Sequence, residues 1–216
     1  MRVVMTGASG LVGGLVLPRL QGHDLILVGR REVPAAPANA AQRVGPIADW
    51  PELVRQSAHD AAICCLGTTI RVAGSQAGFA AVDRDAVLEF AKAAKAAGAR
   101  QFLMVSSIGA SPAARNFYLR IKGEAEAGAK ALGFDRVDIF RPGLLRGNRQ
   151  GPKRPGEAIM MAISPITDLL TPHVFDQYRS IAAQSVAGAI AACLGKDGSG
   201  VHVHENRDIM SLCSVN

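Results

Sequence analysis

Residues 2–13 read RVVMTGASGLVG: a short apolar run from Arg2 to Met5 enters a glycine loop, Thr6 to Gly13, with glycines at 7, 10 and 13. The run reads as a strand. The third glycine already lies in an apolar stretch that reads as a helix over 10–20. Such a loop lets backbone come into van der Waals contact with a pyrophosphate at the positive end of a helix. A glycine loop alone is a weak sign. This one follows a strand, opens a helix and lies in a βαβ unit of about thirty residues, the context the motif requires. Gly7, Ala8, Ser9, Gly10, Leu11, Val12 and Gly13 are therefore candidate pyrophosphate contacts.

Working outward, residues 24–28 (DLILV) form a second strand that ends in Gly29-Arg30-Arg31. At that place a ligand with a free ribose 2′-hydroxyl usually meets an acid, and a 2′-phosphate meets arginine. A guanidinium fork grips phosphate with two parallel hydrogen bonds. Arg30 and Arg31 thus favour NADP(H). Glu32, one residue further on, keeps NAD(H) as the alternative.

The rest of the chain alternates in the same way. A weak third strand reads over 42–48, and a short helix with proline in its first turn over 51–58. A strand follows over 61–66, then a long Ala-rich helix over 76–97 that Gly98 ends. A strand over 101–105, a helix over 116–132 closed by Gly133, and a strand over 136–140 complete the run. This βαβα alternation indicates a three-layer α/β fold, a parallel sheet with helices on both faces and right-handed crossovers. The expected architecture is a doubly wound Rossmann fold of order 3-2-1-4-5-6, with 200–204 as a seventh strand. After Gly147 the pattern loosens: a basic loop over 149–155, an apolar stretch over 157–170 broken by Pro165, and a helix over 180–194. No repeat or linker is visible. The chain reads as one dinucleotide-binding domain over 1–216, with 148–216 contributing a small substrate or lid region.

The 216 residues suffice for one domain that buries roughly 70% of its unfolded surface. Hydrophobic residues make up 49% and charged residues 19%, a globular and not a disordered composition. The net charge is +6, but the basic residues are scattered apart from a cluster over 146–154 that reads as a solvated loop. No nucleic-acid motif accompanies the charge, so nucleic acid is not an expected partner. Cys64, Cys65, Cys193 and Cys213 show no CxxC spacing. Reduced thiols and a cytoplasmic location are the simplest reading. The N-terminus works as strand, loop and helix better than as a signal peptide. No apolar run reaches the roughly 18 residues that span a bilayer, so no membrane is expected.

Catalytic chemistry enters at residues 118–122, YLRIK. Tyr118 and Lys122 stand one turn apart on one helix face. A phenol ordinarily titrates near 10, and a neighbouring ammonium favours its ionised form. Such a pair can relay a proton to or from an alcohol or carbonyl oxygen. Ser106 and Ser107 end the preceding strand, at the carboxyl edge where open α/β sheets bind ligands.

Six segments in order, TGASGLVG, GRR, CCLGTT, VSS, YLRIK and FRPGLLRG, resemble the short-chain dehydrogenase/reductase superfamily over essentially the whole chain. The 7-10-13 glycine spacing resembles its extended and atypical branches. With VDRD at 82–85 and RPGLLRGNRQGPKRPGE from 141, the chain is similar to the small atypical oxidoreductases related to the HIV Tat-interacting protein. The resemblance implies hydride transfer at nicotinamide C4 to or from a small carbonyl or alcohol. It implies Tyr118 as general acid/base, Lys122 as the group that eases its ionisation and holds the nicotinamide ribose, and Ser107, with Ser106 as fallback, on the reacting oxygen. It places Gly7, Gly10 and Gly13 on the pyrophosphate, Arg30 and Arg31 on the 2′-phosphate and Asp49 near the adenine. Leu66, Gly67 and Thr68 would line the cofactor, and Pro142, Gly143 and Leu144 would pass the nicotinamide.

Two features depart from the family. Many members carry an asparagine for a proton relay where this chain has Val82-Asp83-Arg84-Asp85, and Asp83 and Asp85 read as surface or helix-start carboxylates. Ser107 precedes Tyr118 by 11 positions, closer than usual, so the loop over 108–115 must be compact. Other functions remain as alternatives: an NADP(H)-binding sensor or interaction protein with little catalysis, and an epimerase-like enzyme acting on a nucleotide sugar. The expected state is a monomer, or a homodimer paired through the long helices. His202 and His204 share a strand face, but no third ligand is evident and no metal is expected. His23, His59 and His173 read as surface residues.

Overall fold

The structure is a computed structural model that describes residues 1–147 and 180–213. The expected alternation forms one seven-stranded parallel sheet. Its strands are β1 (Arg2–Thr6), β2 (Asp24–Gly29), β3 (Ala41–Val44), β4 (Ala61–Cys64), β5 (Gln101–Val105), β6 (Arg136–Arg141) and β9 (Gly200–Glu205), in the order 3-2-1-4-5-6-9. This is the doubly wound order with the seventh strand added beside β6. A separate two-stranded parallel pair joins β7 (Leu145–Arg146) to β8 (Ile181–Ala182).

Side chains leave a strand on alternate faces, and strands covered on both faces read as continuous apolar runs. Val3, Met5, Leu25, Leu27, Ile63 and Leu103 point to one face. There they pack under α1 (Leu11–Val16) and α7 (Ala183–Cys193). Val4, Ile26, Val28, Ala62, Phe102 and Met104 point to the other. There they meet α2 (Trp50–Arg55), α5 (Val87–Ala96) and α6 (Phe117–Ala131). Burying each large aliphatic side chain contributes about 1.5–3 kcal/mol.

Several boundaries differ from the sequence reading, each for a local reason. The helix expected over 10–20 stops at Val16 and tightens into a 3-10 turn, Leu17–Arg19, because Pro18 has no N–H to give. The third strand ends at Val44, since Pro46 cannot extend its hydrogen-bond ladder. The helix expected over 51–58 is α2, preceded by a 3-10 turn, Ile47–Asp49. After a one-turn helix α3 (Ile70–Ala73), the long helix expected over 76–97 is three pieces: α4 (Gln76–Ala80), a π-helical turn (Ala81–Ala86) and α5. Gly98 (φ +96°) ends it as expected. Ala99 N–H closes back on Ala94 O there. The helix expected from 180 starts only at Ala183, because Ile181 and Ala182 are spent pairing with β7.

The stretch over 157–170, His173 and the basic cluster beyond Arg146 lie outside the described residues, as do the remaining residues from 148 to 179. From 180 onward the chain builds α7 on α1, strand β9 and α8 (Asn206–Cys213). No helix among the described residues is long and apolar enough to cross a membrane.

Candidate functional site

The glycine loop is shaped by close backbone contacts. Gly7 adopts φ +77°, and a Cβ there would lie 2.7 Å from Leu66 N and overlap the Cys65 carbonyl. A Cβ on Gly13 would overlap Gly7 O. Gly10 N–H donates to Gly7 O at 2.9 Å, and Gly10 caps α1 without a side chain. The first-turn N–H groups of a helix have no intrahelical acceptor. The loop therefore presents bare backbone donors to an anion, which is the surface a pyrophosphate needs. Ser9 is exposed, Leu11 is half-buried, and Ala8 and Val12 are buried beneath the turn.

Arg30 and Arg31 follow β2 on the same carboxyl edge. Both are exposed, and neither has an ion-pair partner among the described residues. Glu32 and Asp49 are exposed as well. Leu66, Gly67 and Thr68 leave β4 beside the glycine loop, with Leu66 and Thr68 half-buried.

The two serines that end β5 differ. Ser106 is buried, and its hydroxyl donates to Glu126 Oε1 at 2.6 Å. Ser107 is half-buried, and among the described residues its hydroxyl meets only its neighbour's carbonyl, Ile108 O, at 3.4 Å. Among these residues, then, Ser106 is committed and Ser107 is the more available to a ligand oxygen. The loop after Ser107 is compact, as the short spacing requires. Ser111 N–H donates to Leu119 O at 3.2 Å, and a Cβ on Gly123 would overlap the Ser111 backbone. The loop therefore lies directly on α6, the helix that carries Tyr118.

Tyr118 is half-buried, its ring tilted against Phe79 at 5.4 Å. Lys122 is only 5% exposed, and its Nζ stands 2.7 Å from Asp83 Oδ1. Burial pulls the ammonium toward losing its proton, but Asp83 and Tyr118 outweigh it, so Lys122 holds its proton above the usual lysine range. The reading of Asp83 as a surface carboxylate is thus corrected. It is 1% exposed, because the π-helical turn that carries it faces α6. Asp85 is exposed, as expected, and pairs with Arg84.

Beyond β6, Pro142 is buried and its carbonyl accepts Ile108 N–H. Gly143 N–H donates to Asn206 Oδ1 at 2.9 Å, and Leu144 O accepts Ile181 N–H at 2.8 Å. The segment expected to pass the nicotinamide is therefore held from both ends.

Residues 7–197 match the profile of a family described as NAD(P)H-binding. The chain belongs to this family. The protein HTATIP2 of Rattus norvegicus is 42% identical over 163 residues, covering 72% of this chain and 66% of that protein. The match thus spans about two thirds of that relative's length. A protein of Eremothecium gossypii named FMP52, mitochondrial, is 31% identical over 224 residues, covering 98% of this chain and 97% of its own. Among solved structures, MoeE5 in complex with UDP-glucose and NAD has a TM-score of 0.72 at 14% identity, covering 99% of this chain and 81% of MoeE5. UDP-glucose 4-epimerase from Thermotoga maritima has a TM-score of 0.70 at 19% identity, covering 95% and 77%. At these identities the structural likeness is one of fold.

Membership of the NAD(P)H-binding family accounts for the glycine loop but does not point out every buried polar group. Sequence reading missed Asp83, Glu126, Arg141 and Asn206. Glu126 is 1% exposed and accepts from Arg141 Nε at 2.9 Å as well as from Ser106. The available signal was spacing: Tyr118, Lys122 and Glu126 recur every four residues, so they line one helix face.

A second polar cluster lies on the α7 face, away from the glycine loop. His204 Nε2 stands 2.9 Å from Asp138 Oδ1 and 3.9 Å from Cys193 Sγ, so the sheet supplies partners for His204 that the sequence concealed. Asp138 also accepts two bonds from Arg136 and one from Gln101. Those donors occupy the lone pairs a carboxylate has to offer. The cluster is therefore an ion pair and not a cation cage. Burial opposes Asp138's charge, yet His204, Arg136 and Gln101 hold it down at about 2. Burial also opposes His204's charge, yet Asp138 and Cys193 together lift it to about 9. His59, expected at the surface, is 3% exposed, with Nε2 2.8 Å from Val54 O. Its short segment is trapped between α2 and β4, and burial lowers its affinity for a proton. His23 is half-buried.

Proposed function

We propose that this chain is an NADP(H)-dependent oxidoreductase acting on a small carbonyl compound or its alcohol, with Tyr118 as general acid/base. One observation carries the reading. A half-exposed Tyr118 stands one turn before a buried, charged Lys122, on a helix packed against the loop that begins at Ser107, whose hydroxyl makes no hydrogen bond to a side chain among the described residues. The bare glycine cradle fits a dinucleotide, because any side chain at Gly7 or Gly13 would collide with backbone.

When bound, the dinucleotide supplies or accepts a hydride. In the reductive direction, Tyr118 gives its phenolic proton to the substrate oxygen as the carbonyl carbon gains the hydride. The charge left on Tyr118 is stabilised by the Lys122 ammonium, and solvent returns the proton. Ser107 donates a hydrogen bond to the same oxygen. Ser106 takes no part, since its hydroxyl is committed to Glu126. Lys122 also holds the nicotinamide ribose.

Arg30 and Arg31, exposed and without an ion-pair partner among the described residues, support NADP(H) over NAD(H). Fluorescence titration is expected to show NADPH binding about tenfold or more tighter than NADH; equal affinities would overturn the preference. Tyr118→Phe, tested on a carbonyl panel, is expected to lose about 100- to 10,000-fold in turnover with NADPH affinity unchanged. Undiminished turnover would refute the role of Tyr118. Tight NADPH binding with no turnover of any carbonyl would mark the chain as a binding protein instead. The four free cysteines suit a reducing compartment, and we propose a cytoplasmic location, which cell fractionation checks against the mitochondrial label of the FMP52 relative.

A further inference from the structure

Three carboxylates are buried among the described residues. Glu126 and Asp138 each hold an arginine, whereas Asp83 holds Lys122. The side chains of Asp83 and Lys122 are 0% and 6% exposed. Among the described residues, no donor apart from the ammonium reaches Asp83 Oδ1. Oδ2 accepts the backbone N–H of Thr68 at 2.9 Å. One carboxylate thus holds both the ammonium and the turn that leaves β4. The pair lies directly beneath that turn: a Cβ on Gly67 would stand 3.8 Å from Asp83 Oδ1 and 3.9 Å from Lys122 Nζ. Cys64 and Tyr118 are the other titratable groups close to the ammonium. The direction of Asp83 is set by the π-helical turn, a rare element often found at functional sites. A buried ammonium without a counter-charge is costly and loses its proton readily.

We propose that Asp83 is a positioning residue, which fixes the Lys122 ammonium relative to the turn over 66–68 and so prepares the place for the nicotinamide half of the dinucleotide. This rests on the cofactor reading above. Asp83 itself is covered by protein and acts through Lys122 and Thr68. The charge of the carboxylate answers the lysine's directly, at 2.7 Å.

The test compares NADPH with 2′,5′-ADP, a fragment that reaches the glycine loop and the arginines but lacks the nicotinamide half. Asp83→Asn keeps an acceptor for Thr68 and removes the charge. It is expected to raise the NADPH Kd about tenfold and to leave the 2′,5′-ADP Kd within about twofold. In a Lys122→Met background the same substitution is expected to change NADPH binding less than about twofold, since Asp83 acts through the lysine. An unchanged NADPH Kd, an equal loss for both ligands, or the full effect without Lys122 would overturn the proposal. Should Asp83→Asn not fold, the wild-type chain with carbon-13 at lysine Cε decides. The Lys122 resonance, identified by its loss in Lys122→Met, is expected to titrate above the ordinary 10.5 and to move when NADPH is added. A midpoint below 10.5 overturns the pairing. If wild type binds no NADPH, the cofactor reading fails, while the lysine titration still decides the pairing on its own.

Discussion

His204→Phe removes the imidazole that faces Asp138 and keeps a ring to stack on Phe140, whose centroid lies 4.9 Å away. In the wild type His204 is lifted from 6.5 to about 9. At about 1.4 kcal/mol per unit, proton linkage makes this roughly 3 kcal/mol of stability. From the other partner the figure is smaller: Asp138 is held at about 2 against an ordinary 3.8, about 2 kcal/mol, and Arg136 and Gln101 share it. The lower figure is the better guide to the pair, because Cys193 supplies part of the lift on His204 and the carboxylate keeps its other donors when the imidazole leaves. A raised histidine stabilises the fold fully below pH 6.5 and loses that contribution as pH rises through 9. Urea unfolding at steps from pH 6 to 9.5 should therefore show wild type losing about 2–3 kcal/mol, or roughly 4–12 °C in Tm. The variant should start lower and lack that slope, so that the two converge near the top of the range. Cys64, pushed up to about 12 by burial, adds a loss at high pH. That loss is common to both proteins and cancels in the difference. A difference that stays constant from pH 6 to 9.5 would refute the ion pair.

Two further substitutions test how the site is held. Gly123→Ala places a methyl in the Ser111 backbone and should cost about 1–3 kcal/mol; a Tm within about 1 °C of wild type would rule out so close an approach. Glu126→Ala leaves Arg141 and Ser106 without their shared acceptor and should cost about 3 kcal/mol by urea unfolding, whereas a loss below about 1 kcal/mol would mean solvent takes its place.

The strands themselves, the glycine cradle and the Tyr118–Lys122 helix were legible because each depends on residues close in sequence, whereas the strand order, which pairs β1 with β4 and β6 with β9 across about 60 residues, was expected from the βαβ alternation and its right-handed crossovers. Periodicity exposes covered strands, and Gly98 and Gly133 mark helix ends whatever lies elsewhere in the chain. Asp83 was misread for the opposite reason. VDRD looks like a polar helix face, and only a π-helical turn packed against α6 directs Asp83 inward. Ser107 was preferred to Ser106 on resemblance alone; what physically distinguishes the two hydroxyls is Glu126, 20 positions from Ser106, and no local pattern shows it.

By itself, then, the sequence determined a doubly wound sheet, a dinucleotide cradle at its carboxyl edge and the candidate residues beside it. Tertiary structure alone decided which charges meet: Asp83 with Lys122, Glu126 with Arg141, and Asp138 with His204. Backbone pattern is a local property, governed by sterics and hydrogen bonds a few residues apart. The state of a buried charge depends on what the packed fold brings within about 4 Å of it, in a medium that screens far less than water.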